Sequence, residues 1–239
     1  MTTGAASTRP QPPEPIGIVV AHADDGERAT LARWLRADGR FNVLGEVADP
    51  EATVAAVLDL LPDVAFVDLA LTAGPGGEVA DGVAAIAAIR QEAPAVRNVA
   101  VTREDDDQAY ATLAAGAMAC YLWADPDPDP DPDPDPGATA ADMAAGAARG
   151  EGALTPGWAR RILDEVRWLS RDPGLVPAPE LSPTEQEVLR RIASGATPAA
   201  IAQLHGVTVH LVNVHAGAAI TKVWRYHDDA RQLAQLRQQ

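Results

Sequence analysis

The sequence predicts a doubly wound α/β domain built on a five-stranded parallel sheet, followed by a small all-α domain. Two observations carry the first part. Short β-rich runs alternate with longer helical ones from Ile16 onward, and those runs are apolar nearly throughout, as strands buried on both faces are. A third observation carries the second part: from Leu181 the chain turns into capped helices separated by glycines. The 239 residues suffice for one large or two small domains. With 47% hydrophobic but only 4% aromatic residues, the core must be made mainly of Ala, Val, Leu and Ile.

In chain order, residues 1–15 are Pro-rich, polar and without apolar period, and are expected to be disordered. The runs IGIVVA, FNVLGEV, DVAFVDLA, VRNVAVT and MACYLW read as five strands, with helices over residues 27–37, 51–61, 82–92 and 107–115 between them. In such a sheet ligands bind at the carboxyl ends of the strands, which places Asp24, Asp25, Asp68 and Thr102 at the edge that matters. Six Asp-Pro units then occupy residues 125–136. Each proline extends the aspartate before it and the carboxylates repel, so the run reads as a solvated spacer with no common metal centre. Helical composition resumes over residues 139–149 and again over 156–169, where Thr155 is the N-cap and Pro156 takes the first helical position. RDPGLVPAPE reads as a linker.

Ser182-Pro183-Thr184-Glu185 fits a capping box, and the helix it opens ends at Gly195. Thr197-Pro198 starts a second helix that stops at Gly206, and Thr208 caps a third running to about Val223. Short helix, glycine turn and longer helix form the helix-turn-helix order.

The net charge of -15 is unevenly placed. Residues 1–179 carry a balance of -16 and residues 180–239 a balance of +1, so the C-terminal part permits a DNA contact without demanding it. The single cysteine, Cys120, excludes an intramolecular disulfide and reads as a small buried hydrophobe. No signal-like start and no membrane-length apolar run are present, so a cytoplasmic protein with no membrane partner is expected.

LSPTEQEVLRRIASGATPAAIAQLHGVTVHLVNVHAGAAITKV resembles the DNA-binding domain of NarL/LuxR-type response regulators, and PDVAFVDL, VAVT and AGAMACYLW resemble strands of their receiver domain. The resemblance covers about residues 16–239. It implies a receiver-like domain over 16–152 carrying the Asp-Pro insertion, a connector over 153–180, and a four-helix helix-turn-helix domain over 181–239. It also implies that Asp68 is the phosphate-accepting position and Thr102 the phosphate-contacting hydroxyl.

Aspartate phosphorylation requires an acidic pair for Mg²⁺, a nucleophilic carboxylate, a hydroxyl and an ammonium group. The ungapped match puts His22 and Ala23 at the acidic positions, with Asp24 and Asp25 displaced by two, and it puts Trp123 or Ala124 where the family has lysine. Lys222 is the only lysine in the chain and lies in the other domain. The loop ALTAGPGGEVADG is also about six residues longer than the family's turn. Asp68 therefore reads as an acidic residue left in a receiver that no longer signals through phosphate. Asp24 and Asp25 read as helix-capping carboxylates, and Trp123 as a buried or interface aromatic. No cofactor is expected, Mg²⁺ being implied only if the receiver is active.

On the third helix Val212, Ala216, Ala219, Ile220 and Val223 should face the core. Asn213, His215, Thr221, Lys222 and, just beyond, Arg225 are the expected DNA contacts, whereas Val214, Gly217 and Ala218 offer only apolar or close backbone contacts. His210 and His215 lie five apart, about 140° round a helix, which suits no zinc site. The expectation is a DNA-binding transcription regulator, not an enzyme, with a degenerate receiver controlled independently of ordinary phosphorylation. Its partners are double-stranded DNA, a second copy or a related regulator in a dimer, and RNA polymerase. The alternatives are an interaction module that binds a partner regulator without reading DNA, and small-molecule sensing at the altered carboxyl edge.

Overall fold

The computed structural model describes residues 14–72, 81–123, 136–171, 174 and 176–237. The N-terminal tail, most of the Asp-Pro run and the glycine-rich part of the loop after Asp68 lie outside these residues.

Five strands alternate with helices as the runs predict: β1 (Ile16–Ala21), α1 (Asp25–Ala37), β2 (Phe41–Val47), α2 (Pro50–Leu60), β3 (Val64–Asp68), α3 (Asp81–Glu92), β4 (Arg97–Thr102), α4 (Asp107–Ala115), β5 (Ala117–Leu122) and α5 (Pro136–Ala148). All are parallel, in the order β2-β1-β3-β4-β5. Because side chains alternate along a strand, Ile18, Val20 and Phe66 pack under α1 and α5, while Val19, Ala65 and Val67 pack under α2, α3 and α4. The order places β1 and β4 on either side of β3, so their carboxyl ends meet around Asp68.

The C-terminal part consists of α6 (Pro156–Arg171), α7 (Pro183–Ala193), α8 (Pro198–His205) and α9 (Val209–Leu236). Local signals set most of their ends. Thr155 Oγ1 accepts from the Trp158 amide at 3.1 Å, Ser182 and Glu185 close a capping box, and Thr197 and Thr208 cap α8 and α9. Gly206 ends α8 in the left-handed region, φ 65°.

One boundary differs from the sequence reading. The third helix does not end near Val223: α9 runs to Leu236, 28 residues in all, because WRYHDDARQLAQL contains no glycine or proline to stop it. The apolar cluster beneath α3 and α4 runs without interruption through Trp158 and Ile162 of α6 into Leu189, Ile201, Val212, Ile220 and Trp224, so one core joins the sheet domain to the helical one.

Leu61, the C-cap of α2, is a non-glycine residue held at φ 45° with 71% of its surface exposed. A left-handed leucine is strained and its side chain here packs little. Leu61→Gly is expected to stabilise the chain by about 0.5–1 kcal/mol in a urea melt.

Candidate regulatory pocket and nucleic-acid interface

The carboxyl edge of the sheet forms a cavity of about 330 Å³ lined by His22, Asp24, Asp68, Thr102, Arg103 and Trp123, among others. Asp68, at the end of β3, is buried. Its Oδ2 accepts from the Ala23 amide (3.1 Å) and its Oδ1 from the Ala70 amide (3.0 Å). His22 occupies the space beside it, with Nδ1 at 3.5 Å from Asp68 Oδ2. That nitrogen accepts the Asp24 amide hydrogen at 3.1 Å, and Nε2 lies 3.1 Å from Glu27 Oε2. Arg103 is ion-paired with Glu27.

Asp24 lines the cavity but caps α1, accepting from the Glu27 amide (2.9 Å), which holds its carboxyl below the usual range. Asp25 turns outward to Arg28. The two are therefore placed as helix-start carboxylates rather than as a converging pair. Thr102 Oγ1 lies 3.3 Å from the Glu104 carbonyl and 3.4 Å from its amide. Where the resemblance calls for an ammonium group, Trp123 stacks on Trp34 with ring centroids 5.6 Å apart and meets His22 and Tyr121 edge-on or tilted. Among the described residues no three His, Cys, Asp or Glu side chains converge as metal ligands would. This donor set does not fit Mg²⁺. Cys120 is buried, and burial pushes its thiol pKa up, so it packs as a hydrophobe.

The second site is α9. Val212, Ala216, Ala219 and Val223 face the helical core, as the apolar stripe predicts. A second stripe, recurring every three or four residues, lies on the sheet domain. His210 Nδ1 is 2.8 Å from Glu151 Oε1, and the Gly152 amide donates to the Asn213 carbonyl at 2.9 Å. Trp224 Nε1 donates to the Leu113 carbonyl at 2.6 Å, and Asp228 pairs with Arg90 at 2.5 Å. Arg90 also lies over the Trp224 ring. His227 Nε2 sits 3.0 Å from Glu165 Oε1, an ion-pair distance off the line of a hydrogen bond, while the Tyr110 hydroxyl donates to Glu165 Oε2 at 2.5 Å.

Gly217 makes the docking possible. A Cβ added there would stand 2.9 Å from the Gly152 nitrogen, and one added at Gly152 would stand 2.7 Å from the Gly217 nitrogen. The close backbone contact that Gly217 permits is thus made to the chain's own Gly150–Gly152 turn.

The five expected DNA contacts are differently placed. Lys222 Nζ is held by buried Glu185 (2.8 and 3.0 Å) and by the Glu180 carbonyl (2.9 Å). Thr221 Oγ1 donates to the Gly217 carbonyl, Asn213 and His215 are half-buried, and Arg225 is exposed. Sequence reasoning missed Glu151, Glu165, Arg90 and Trp224. The only trace of their role was the glycine in mid-helix facing the run RGEGA.

An α/β domain with an acid-bearing carboxyl edge, followed by a helix-turn-helix, defines the response-regulator class. No family model matches the chain. It is 29% identical over 209 residues to the transcriptional regulatory protein LiaR of Bacillus subtilis, covering 86% of this chain and 90% of that one. It is also 29% identical over 209 residues to the probable transcriptional regulatory protein NarL of Mycobacterium tuberculosis, covering 87% of each. A solved structure of the Salmonella typhimurium RcsB response regulator, described for its conformational dynamism in DNA interaction, aligns over 87% of this chain and 92% of that one, with 20% identity and a TM-score of 0.48. In sequence and in order of domains the chain is similar to these transcriptional regulatory proteins.

Burial raises the Glu151 and Glu165 pKa values, but Arg149 and His210 at the first, and His227 and Tyr110 at the second, outweigh it and hold both below the usual range. A depressed carboxylate pKa contributes stability that is full above the unfolded value, about 4.3, and is lost as pH falls through the folded value. Docking of α9 should therefore loosen below about pH 4, seen as a shift in tryptophan emission before far-ultraviolet dichroism changes. Gly217→Ala should produce the same loosening at neutral pH, with a loss of about 1–3 kcal/mol in a denaturant melt.

Proposed function

We propose that this chain is a cytoplasmic, non-enzymatic transcription regulator whose receiver-like domain does not switch through aspartyl phosphate. One observation carries the reading: Asp68 is satisfied by two backbone amides beside the His22 ring, and an indole stands in the ammonium position. A phosphoryl group would add negative charge to a buried site with no lysine to compensate it, an expense of several kcal/mol. No cofactor is required. Residues 16–152 serve as the control domain, residues 153–180 as the connector and residues 181–239 as the DNA-binding domain. The relatives LiaR and NarL, named as transcriptional regulatory proteins, support this assignment.

On DNA the chain acts as a dimer, with itself or a related regulator, in a form where α9 has left the sheet domain. Asn213, His215, Thr221, Lys222 and Arg225 make the contacts, and RNA polymerase is the downstream partner. Release of Lys222 from Glu185 is part of that change, since a lysine so held neutralises no phosphate.

A second reading is favoured by a specific feature. Thirty consecutive residues, from Ile192 to Thr221, contain no Asp, Glu, Lys or Arg. They span the end of α7, all of α8 and the first half of α9, the part that would meet DNA. Phosphate contacts supply much of the affinity of DNA-binding proteins. In this reading the helix-turn-helix binds protein, and the chain regulates through a partner regulator.

Incubation with acetyl phosphate and Mg²⁺ followed by intact-mass measurement should leave the chain unmodified. An adduct lost in Asp68→Asn would overturn the phosphate-independent reading. Binding to genomic fragments separates the two readings of the helical domain. With Lys222 and Arg225 as the phosphate contacts, log K should fall against log salt with a slope of about -2 per chain, reduced by about one in Arg225→Ala. A partner-binding module gives no binding.

A further inference from the structure

At the edge of the sheet opposite Asp68, a second cavity of about 570 Å³ opens between the sheet domain and α9. The charged side chains lining it are Arg90 in the last turn of α3, Arg97 at the start of β4, and Asp228 and Arg231 on α9. Three guanidinium groups thus share one carboxylate. Asp228 Oδ2 accepts from Arg90 at 2.5 Å and its Oδ1 from Arg231 at 2.7 Å, so both oxygens are taken. Arg97 is left over. Its backbone amide donates to the Asp63 carbonyl, but its half-buried guanidinium has no hydrogen bond or ion pair among the described residues. A guanidinium cannot shed its charge, and it offers five donors in a rigid fork.

A local excess of two positive charges stands out in a chain of net charge -15. The carbonyls that end α3 oppose it with only about half a negative charge. The cavity is therefore built for an anion, and a dianion balances it. A phosphate monoester carries close to two negative charges at neutral pH, and its oxygens accept from guanidinium forks on several sides. A single carboxylate brings half that charge. The cavity is larger than a phosphate group and of the size that holds a small ligand, and Trp224 and Thr221 line the remainder. The geometry points to a regulatory site for the phosphate monoester of a small metabolite, with Arg97 as its free ligand and Arg90 and Arg231 completing the cradle. Arg90 and Arg97 belong to the sheet domain and Arg231 to α9, so the three converge only while α9 is docked. The ester thus binds the docked form and opposes its release. Such control operates under either reading of the helical domain.

The test is a thermal melt of the full chain with glycerol phosphate, against NaCl of equal ionic strength, together with amide exchange at Gly152. At a hundred times its dissociation constant the ester should raise the melting midpoint by about 5–10 °C and slow exchange at Gly152 about a hundredfold. Affinity should fall at least tenfold in Arg97→Gln and, as an independent variant on α9, in Arg231→Gln, with circular dichroism confirming the fold of each. It should persist in Arg171→Gln, an exposed arginine of α6 that does not line the cavity. Succinate, a dianion without a phosphate group, should bind at least tenfold more weakly. An ester that acts no better than NaCl, or as strongly on both cavity variants as on the wild type, overturns the proposal. Equal binding of succinate overturns the assignment to phosphate, and a higher melting midpoint without slower exchange at Gly152 overturns the placement between α9 and the sheet domain.

Discussion

The structure depends on one helix serving two domains. α9 closes the core of the helix-turn-helix on one side and lies on the sheet domain on the other, so a single apolar cluster spans both. The two sides meet backbone to backbone where the Gly152 amide reaches the Asn213 carbonyl. That approach excludes a Cβ at either Gly152 or Gly217. Because nothing interrupts α9 after Gly217, the same rigid rod carries Trp224, His227 and Asp228 to α4, α6 and Arg90. Separating the Gly152 amide from the Asn213 carbonyl requires the whole rod to move, not a local turn.

The control pocket follows a parallel logic. Four carboxylates at the sheet edge already have partners: Asp68 two amides, Glu27 an arginine and an imidazole, Asp24 a helix amide, Asp25 an arginine. Trp34, Tyr121, Trp123 and His22 fill the place of a cation with rings. These partners are the ground for the proposal that the sheet domain does not switch through aspartyl phosphate.

How far the sequence could be read depended on how local the information was. Strands and caps are local, so β1 to β5, Thr155, Ser182, Thr197 and Thr208 were legible from their own neighbourhoods. The end of α9 was not, because tertiary packing of Trp224 and Asp228, rather than any stop signal, carries the helix past Val223. Lys222 reads as a free cation in sequence. Its partner Glu185 was already recognised as a capping residue, and only the fold shows that one carboxylate does both tasks. Gly217 was legible as a place for close backbone contact, but not the turn that approaches it. His22 could be placed at the acidic position by matching. Its contacts with the Asp24 amide and with Glu27 are revealed by no spacing.

The docking of α9 is tested most directly by amide hydrogen exchange at Gly152 in the intact chain at neutral pH. If that amide is held by the Asn213 carbonyl beneath a packed helix, it should exchange on the order of 10³-fold slower than an unstructured glycine, in step with the amides of β5. Exchange at the rate of a free loop residue, with β5 still protected, would show that α9 does not rest on the sheet domain and would contradict the account.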